Sequence, residues 1–137
     1  MSFVLDTSIA LAWCFKDEQT PAVMAVLDRL VETSAMAPLL WPLEAMNGLF
    51  AAERRRRIGG AERVSLGSFL RDLPVKLDMD TAERVWDATA AIAARFGLTI
   101  YDATYLELSL RRRLPLATLD RALQSAAKAM KVELLGG

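Results

Sequence analysis

Short apolar runs that end on turn-forming or acidic residues alternate along this chain with longer stretches where apolar residues recur every three or four positions. The first kind reads as buried strands and the second as amphipathic helices packed on them. Met1 to Leu5 is such a strand. Asp6-Thr7-Ser8 then supplies cap residues, and Ile9, Leu11, Ala12 and Phe15 begin a helical stripe. Thr20-Pro21 opens a second helix, with proline at its first position and Val23, Val26, Leu27 and Leu30 as its apolar face. Met36 to Leu40 is a second strand. Trp41-Pro42 starts a third helix, which the pattern carries to Ile58 with Gly59-Gly60 as its stop.

A fourth helix, with Leu66, Phe69, Leu70 and Leu73 as its buried face, ends at Pro74, and Val75 to Met79 is a third strand. Asp80 with Glu83 makes a capping-box-like start to a helix whose stripe is Ala82, Val85, Trp86, Thr89 and Ala93. Phe96-Gly97-Leu98 closes it, and Thr99-Ile100-Tyr101-Asp102 opens the next, which carries Leu106 and Leu110. Leu114 to Leu119 is a strand with Pro115 near its start, Asp120 caps a last helix to about Met130, and Val132 to Leu135 is a final strand. Strands alternating with helices predict an α/β fold, a three-layer α/β/α domain around a central parallel sheet of four to five strands. No repeat, low-complexity segment or linker divides residues 1–137, so a single domain is expected.

This reading gives four acids one shared position. Asp6, Glu44, Asp102 and Asp120 each cap a predicted helix or sit in its first turn. Each alone is explained as a helix cap, since acids there bond free backbone N–H groups and favour the positive end of the macrodipole. Together they suggest more. Helices that follow parallel strands begin at one sheet edge, where open α/β folds bind ligands. Glu44 follows the second strand at that edge, and its helix face continues through Asn47 and Ala51. Carboxylates gathered there repel one another unless protonated or neutralised by a cation. With oxygen ligands only, that cation is a hard one, Mg²⁺ or Mn²⁺.

Composition narrows the chemistry mainly through what is missing. The chain has no histidine, which excludes a Ser-His-Asp triad, a histidine base and any histidine-ligated zinc. Its one cysteine, Cys14, excludes zinc fingers and an internal disulfide, and reads as a small buried hydrophobe. Lys+Arg 17 against Asp+Glu 17 cancel, so bulk charge selects no partner. No apolar segment reaches the roughly 18 residues of a membrane span, and Asp6 interrupts anything like a signal peptide. A soluble, cytoplasmic protein without a membrane partner is expected.

Val4-Leu5-Asp6-Thr7-Ser8, Pro42-Leu43-Glu44-Ala45-Met46-Asn47, Tyr101-Asp102-Ala103-Thr104-Tyr105-Leu106 and Leu116-Ala117-Thr118-Leu119-Asp120, in this order and spacing, resemble the PIN-domain nucleases. Within that superfamily the length and motifs are most similar to the VapC-type toxins of bacterial toxin–antitoxin pairs. The resemblance covers essentially the whole chain and implies a Mg²⁺- or Mn²⁺-dependent endoribonuclease. Its acidic site maps onto Asp6, Glu44, Asp102 and Asp120, with Asp6 and Asp102 holding the principal metal. Thr7 and Thr118 match positions where the family keeps a small hydroxyl beside the metal, and Asn47 is a further supporting residue. The resemblance also implies a VapB-type antitoxin as partner, an RNA substrate, and a homodimer or larger toxin–antitoxin assembly.

Other readings remain open at this point. A haloacid-dehalogenase-type phosphatase wants a second acid two residues after Asp6, where Ser8 stands. A catalytically silent PIN scaffold that binds a protein or RNA would not need all four acids. Arg54, Arg55, Arg56 and Arg57 form either a solvated helix end or a contact for RNA phosphates or an acidic antitoxin segment. Arg111 to Arg113 reads as a solvated helix end. Trp13, Trp41 and Trp86 are expected in the core or an interface.

Overall fold

The computed structural model describes residues 2–137. Met1, expected to open the first strand, lies outside them. Five strands, β1 (Phe3–Leu5), β2 (Ala35–Pro38), β3 (Val75–Asp78), β4 (Leu116–Ala117) and β5 (Leu134–Leu135), pair in parallel in the order β3-β2-β1-β4-β5. The expected α/β architecture with a five-strand parallel sheet flanked by helices is observed. Phe3, Val4 and Leu5 have no exposed surface, as a central parallel strand covered on both faces requires.

Chain order fixes where a ligand can sit. From β1 the chain moves outward to β2 and β3, then crosses back past β1 to β4 and β5. The direction of winding therefore reverses between β1 and β4, and a crevice opens there at the carboxyl edge of the sheet. Right-handed crossovers put α1 (Thr7–Cys14), α2 (Pro21–Glu32), α3 (Trp41–Arg54) and α4 (Gly60–Asp72) on one face. The opposite face carries the helical stretch Thr81–Phe96 as α5 (Thr81–Arg84), a π turn (Val85–Thr89) and α6 (Ala90–Phe96). It also carries α7 (Ile100–Arg112) and α8 (Arg121–Ala129).

Three boundaries differ from the pattern. α3 ends at Arg54, not Ile58, because Arg56 adopts φ 61° and Arg57 N–H returns to the Ala52 carbonyl at 2.9 Å, with Arg56 N–H on Glu53. This is a Schellman turn closed by arginine, and Gly59 instead starts α4, its N–H held by the Glu62 carboxylate at 3.2 Å. β4 and β5 keep only two residues each of their expected runs; Pro115 still contributes, its carbonyl accepting from Val4 N–H at 2.8 Å.

The third difference moves a tryptophan. Trp86, within the π turn, is 86% exposed, while Thr81 before the turn and Thr89 at its end are buried. Trp13 and Trp41 are in the core as expected, the Trp13 indole N–H donating to the Val23 carbonyl at 2.9 Å. The stripe expected on α4 is also only partly realised: Leu70 is buried, Leu66 and Leu73 half-buried, and Phe69 exposed. No helix among the described residues is long and apolar enough to cross a membrane.

Candidate active site

Four elements deliver the acids to the switch-point crevice. Asp6 ends β1, Glu44 lies in the first turn of α3, Asp102 in the first turn of α7, and Asp120 is the N-cap of α8. α1, α3 and α8 follow β1, β2 and β4, so they start at the carboxyl edge. α7 reaches it from the other direction. It leads into β4 through a short turn, so it runs down the sheet and its first turn stands at the same edge.

Capping explains these acids unevenly. Asp120 does cap α8, with Oδ1 accepting from Leu123 N–H at 3.5 Å. In α7 the capping is done by Thr99, whose hydroxyl accepts from Asp102 N–H at 3.1 Å. Asp6 occupies the N-cap position of α1 without a side-chain cap bond. Its Oδ2 instead accepts two hydroxyls, Ser8 and Thr118, each at 2.7 Å. Both hydroxyls are themselves fixed: Thr118 Oγ1 accepts from Asp120 N–H at 3.1 Å and Ser8 Oγ from Leu119 N–H at 3.0 Å. The β4–α8 corner is thereby tied to the end of β1. Among the described residues Glu44 is held by one donor, the Tyr105 hydroxyl, at 2.5 Å. Thr7 is buried beside this group.

The acids act on one another. Burial, offset partly by the Ser8 and Thr118 bonds, raises the Asp6 carboxyl above the usual range, with a further push from Asp120. Burial also raises Glu44, against the Tyr105 bond and with the charges of Asp6 and Asp102. Asp102 is pushed to about 6 by burial and by Asp120 and Asp6. Three carboxyls on three separate elements thus resist ionisation, as carboxylates brought together without a counter-charge do.

A PIN-domain family model matches residues 3–129. The chain belongs to the PIN-domain family. A search of curated proteins gives no match. Among solved structures, this PIN domain is similar to PAE2754 from Pyrobaculum aerophilum, with 23% identity, a TM-score of 0.70, and 98% of this chain and 83% of that one covered. It is similar to VapBC-5, a member of the VapBC family of toxin–antitoxin systems from Mycobacterium tuberculosis, at 22% identity and a TM-score of 0.61, covering 99% and 98%. VapC20 of the same organism, a sarcin–ricin loop cleaving toxin, shares 18% identity at a TM-score of 0.58, covering 92% and 95%. At these identities the likeness is one of fold.

The donor set of this PIN domain fits a hard divalent ion in kind, since Asp6, Glu44, Asp102 and Asp120 offer carboxylate oxygens. Among the described residues no three acids stand close enough to enclose an ion as they are. Hydrogen bonds to Ser8, Thr118, Tyr105 and Leu123 N–H hold Asp6, Glu44 and Asp120 at that spacing. Mg²⁺ tolerates it, because it keeps several waters and takes only one or two carboxylates directly.

Residues outside the crevice separate into two groups. Asn47 is exposed one turn beyond Glu44, with no side-chain hydrogen bond among the described residues. Arg57 is already engaged, with Asp17 at 3.0 Å and Glu18 at 2.8 Å, its guanidinium 4.1 Å over the Phe15 ring. Arg54, Arg55 and Arg56 are exposed without ion pairs among the described residues. Arg111 departs from the solvated helix end expected for it. It lies against Asp78 at 2.6 Å and Glu107 at 2.9 Å, and Asp78 and Glu107 are both buried.

Two site residues carried little sequence signal. Ser8 read as a capping residue, and Tyr105 stood in the Tyr101–Leu106 motif without a role of its own. The spacing Asp102-Tyr105, one helical turn, was the available clue to the second.

Proposed function

We propose that this PIN domain is a Mg²⁺- or Mn²⁺-dependent endoribonuclease and the toxin of a VapBC-type toxin–antitoxin pair. The observation that carries the reading is the set of Asp6, Glu44 and Asp102, carboxyls from three elements gathered with Asp120 near the switch point, each raised first by burial and then by the charge of neighbouring acids. A divalent ion held there would acidify a bound water and stabilise negative charge on a scissile phosphate and its leaving oxygen. Asp6 and Asp102 would hold that ion. Glu44 and Asp120 would complete the cluster and orient the attacking water. Ser8 and Thr118 keep Asp6 fixed while this happens. No histidine is needed, and the chain has none.

RNA as substrate and an antitoxin as partner are supported by the resemblance to VapBC-5 and VapC20. A groove of about 560 Å³ between α3 and α4, lined by Trp41, Ala45, Met46, Val64 and Leu70, offers an apolar segment of that antitoxin a seat. A homodimer and a cytoplasmic location belong to the same reading. Purified protein freed of any partner, incubated with a pool of structured RNAs in Mn²⁺, Mg²⁺ or EDTA, tests it. Cleavage only with metal supports the proposal; intact RNA from folded, metal-loaded protein contradicts it.

A further inference from the structure

Glu44 and Asp6 share a pattern that goes beyond charge. Each has one carboxylate oxygen occupied by a hydroxyl donor, Glu44 Oε1 by Tyr105 and Asp6 Oδ2 by Ser8 and Thr118. The other oxygen, Glu44 Oε2 or Asp6 Oδ1, accepts no side-chain hydrogen bond among the described residues. Tyr105 is wholly buried on α7, one turn beyond Asp102, and bridges 61 positions of sequence to reach Glu44. A buried phenol must bond something, and this one spends its proton on an acid of the crevice, not on backbone.

We propose that Tyr105 is a positioning residue that makes Glu44 a one-oxygen donor to the divalent ion, an inference that rests on the metal-dependent reading above. With one lone pair of Oε1 given to Tyr105, Oε2 is the stronger donor left for a cation, and one-oxygen binding by Glu44 is favoured over two-oxygen binding. Asp6 is restricted in the same way by Ser8 and Thr118. One-oxygen donors suit a small octahedral ion that keeps its waters, Mg²⁺ or Mn²⁺. They disfavour Ca²⁺, which takes carboxylates through both oxygens. Tyr105 thus bears on which ion the crevice accepts as well as on how tightly it is held.

Mn²⁺ binding without RNA, followed by the electron paramagnetic resonance of free Mn²⁺, tests this on wild type, Tyr105→Phe, Glu44→Gln and the double variant, each first shown by thermal melting to be folded. Tyr105→Phe keeps the buried ring and removes only the hydroxyl. It should weaken Mn²⁺ binding about tenfold, as loss of a group supporting a metal ligand does, and should let Ca²⁺ compete more effectively than in wild type. In the Glu44→Gln background the same change should cost nothing further, since Tyr105 acts through Glu44. Wild-type Mn²⁺ affinity in Tyr105→Phe, or losses that multiply in the double variant, would overturn the role. Failure of folded wild type to bind Mn²⁺ at all would remove the metal-dependent reading, and this proposal with it.

Discussion

Thr118 Oγ1 donates to Asp6 Oδ2 at 2.7 Å across 112 positions of sequence, and the same oxygen accepts the backbone N–H of Asp120. One hydroxyl therefore joins the end of β1 to the start of α8 at the point where the sheet changes direction. Thr118→Val keeps the shape and removes both bonds. With Thr118 fully buried, Asp120 N–H is left unpaired, and the variant should lose about 1–3 kcal/mol of stability in urea titrations. A stability equal to wild type would show that the link contributes nothing.

The raised carboxyls make a prediction about pH. An acid whose folded pKa exceeds its unfolded value holds its proton more tightly in the native chain. The stability it contributes is then complete below the unfolded pKa and lost as pH rises through the folded one. For Asp102 that window runs from 3.8 to about 6. In EDTA, wild type should therefore gain from these acids on going from pH 7.5 to pH 5, measured by thermal melting. Asp102→Asn should melt higher than wild type at pH 7.5 and show a flatter dependence. An identical slope in the variant would contradict the raised Asp102 carboxyl.

Arg111 anchors α7, the helix that carries both Asp102 and Tyr105, to the end of β3. Burial alone would raise the Asp78 carboxyl, but hydrogen bonds from Arg111 and Thr81 and the Arg111 charge hold it below the usual range. Removing one partner leaves Asp78 and Glu107 buried without compensation, so Arg111→Ala should cost about 3–5 kcal/mol in denaturant unfolding. Arg111→Lys should recover little, because one ammonium cannot serve two carboxylates as the guanidinium fork does.

Trp86→Ala should leave stability within about 0.5 kcal/mol of wild type, since the side chain is 86% exposed. A loss of several kcal/mol would contradict the exposed position of Trp86.

The order of elements and the parallel sheet were legible because apolar runs and helical stripes survive in sequence as periodicity. What periodicity cannot carry is which residues of a stripe the rest of the fold covers: Trp86, read as a core or interface residue, lies in the π turn at Val85–Thr89 and is exposed. The end of α3 was hidden for a related reason, because Arg56 adopts the left-handed conformation for which glycine is the usual signal. Among the acids, spacing placed each one at a helix start. Their hydroxyl partners Ser8, Thr118 and Tyr105 all stood within the quoted motifs, but only Thr118 was matched to a place beside the metal, and its bond to Asp6 and that of Tyr105 to Glu44 join distant segments. The role of Arg111 was concealed because Asp78 lies 33 positions away.

The account rests above all on Asp6 as a carboxylate that holds the catalytic ion. Cleavage of a structured RNA pool by Asp6→Asn and wild type, side by side in Mn²⁺, Mg²⁺ and EDTA, tests it most directly, because the change removes charge at almost constant volume. Wild type should cut only with metal, and Asp6→Asn should be inactive in every condition with its fold retained. Metal-dependent cutting by Asp6→Asn at near wild-type rate would contradict the account.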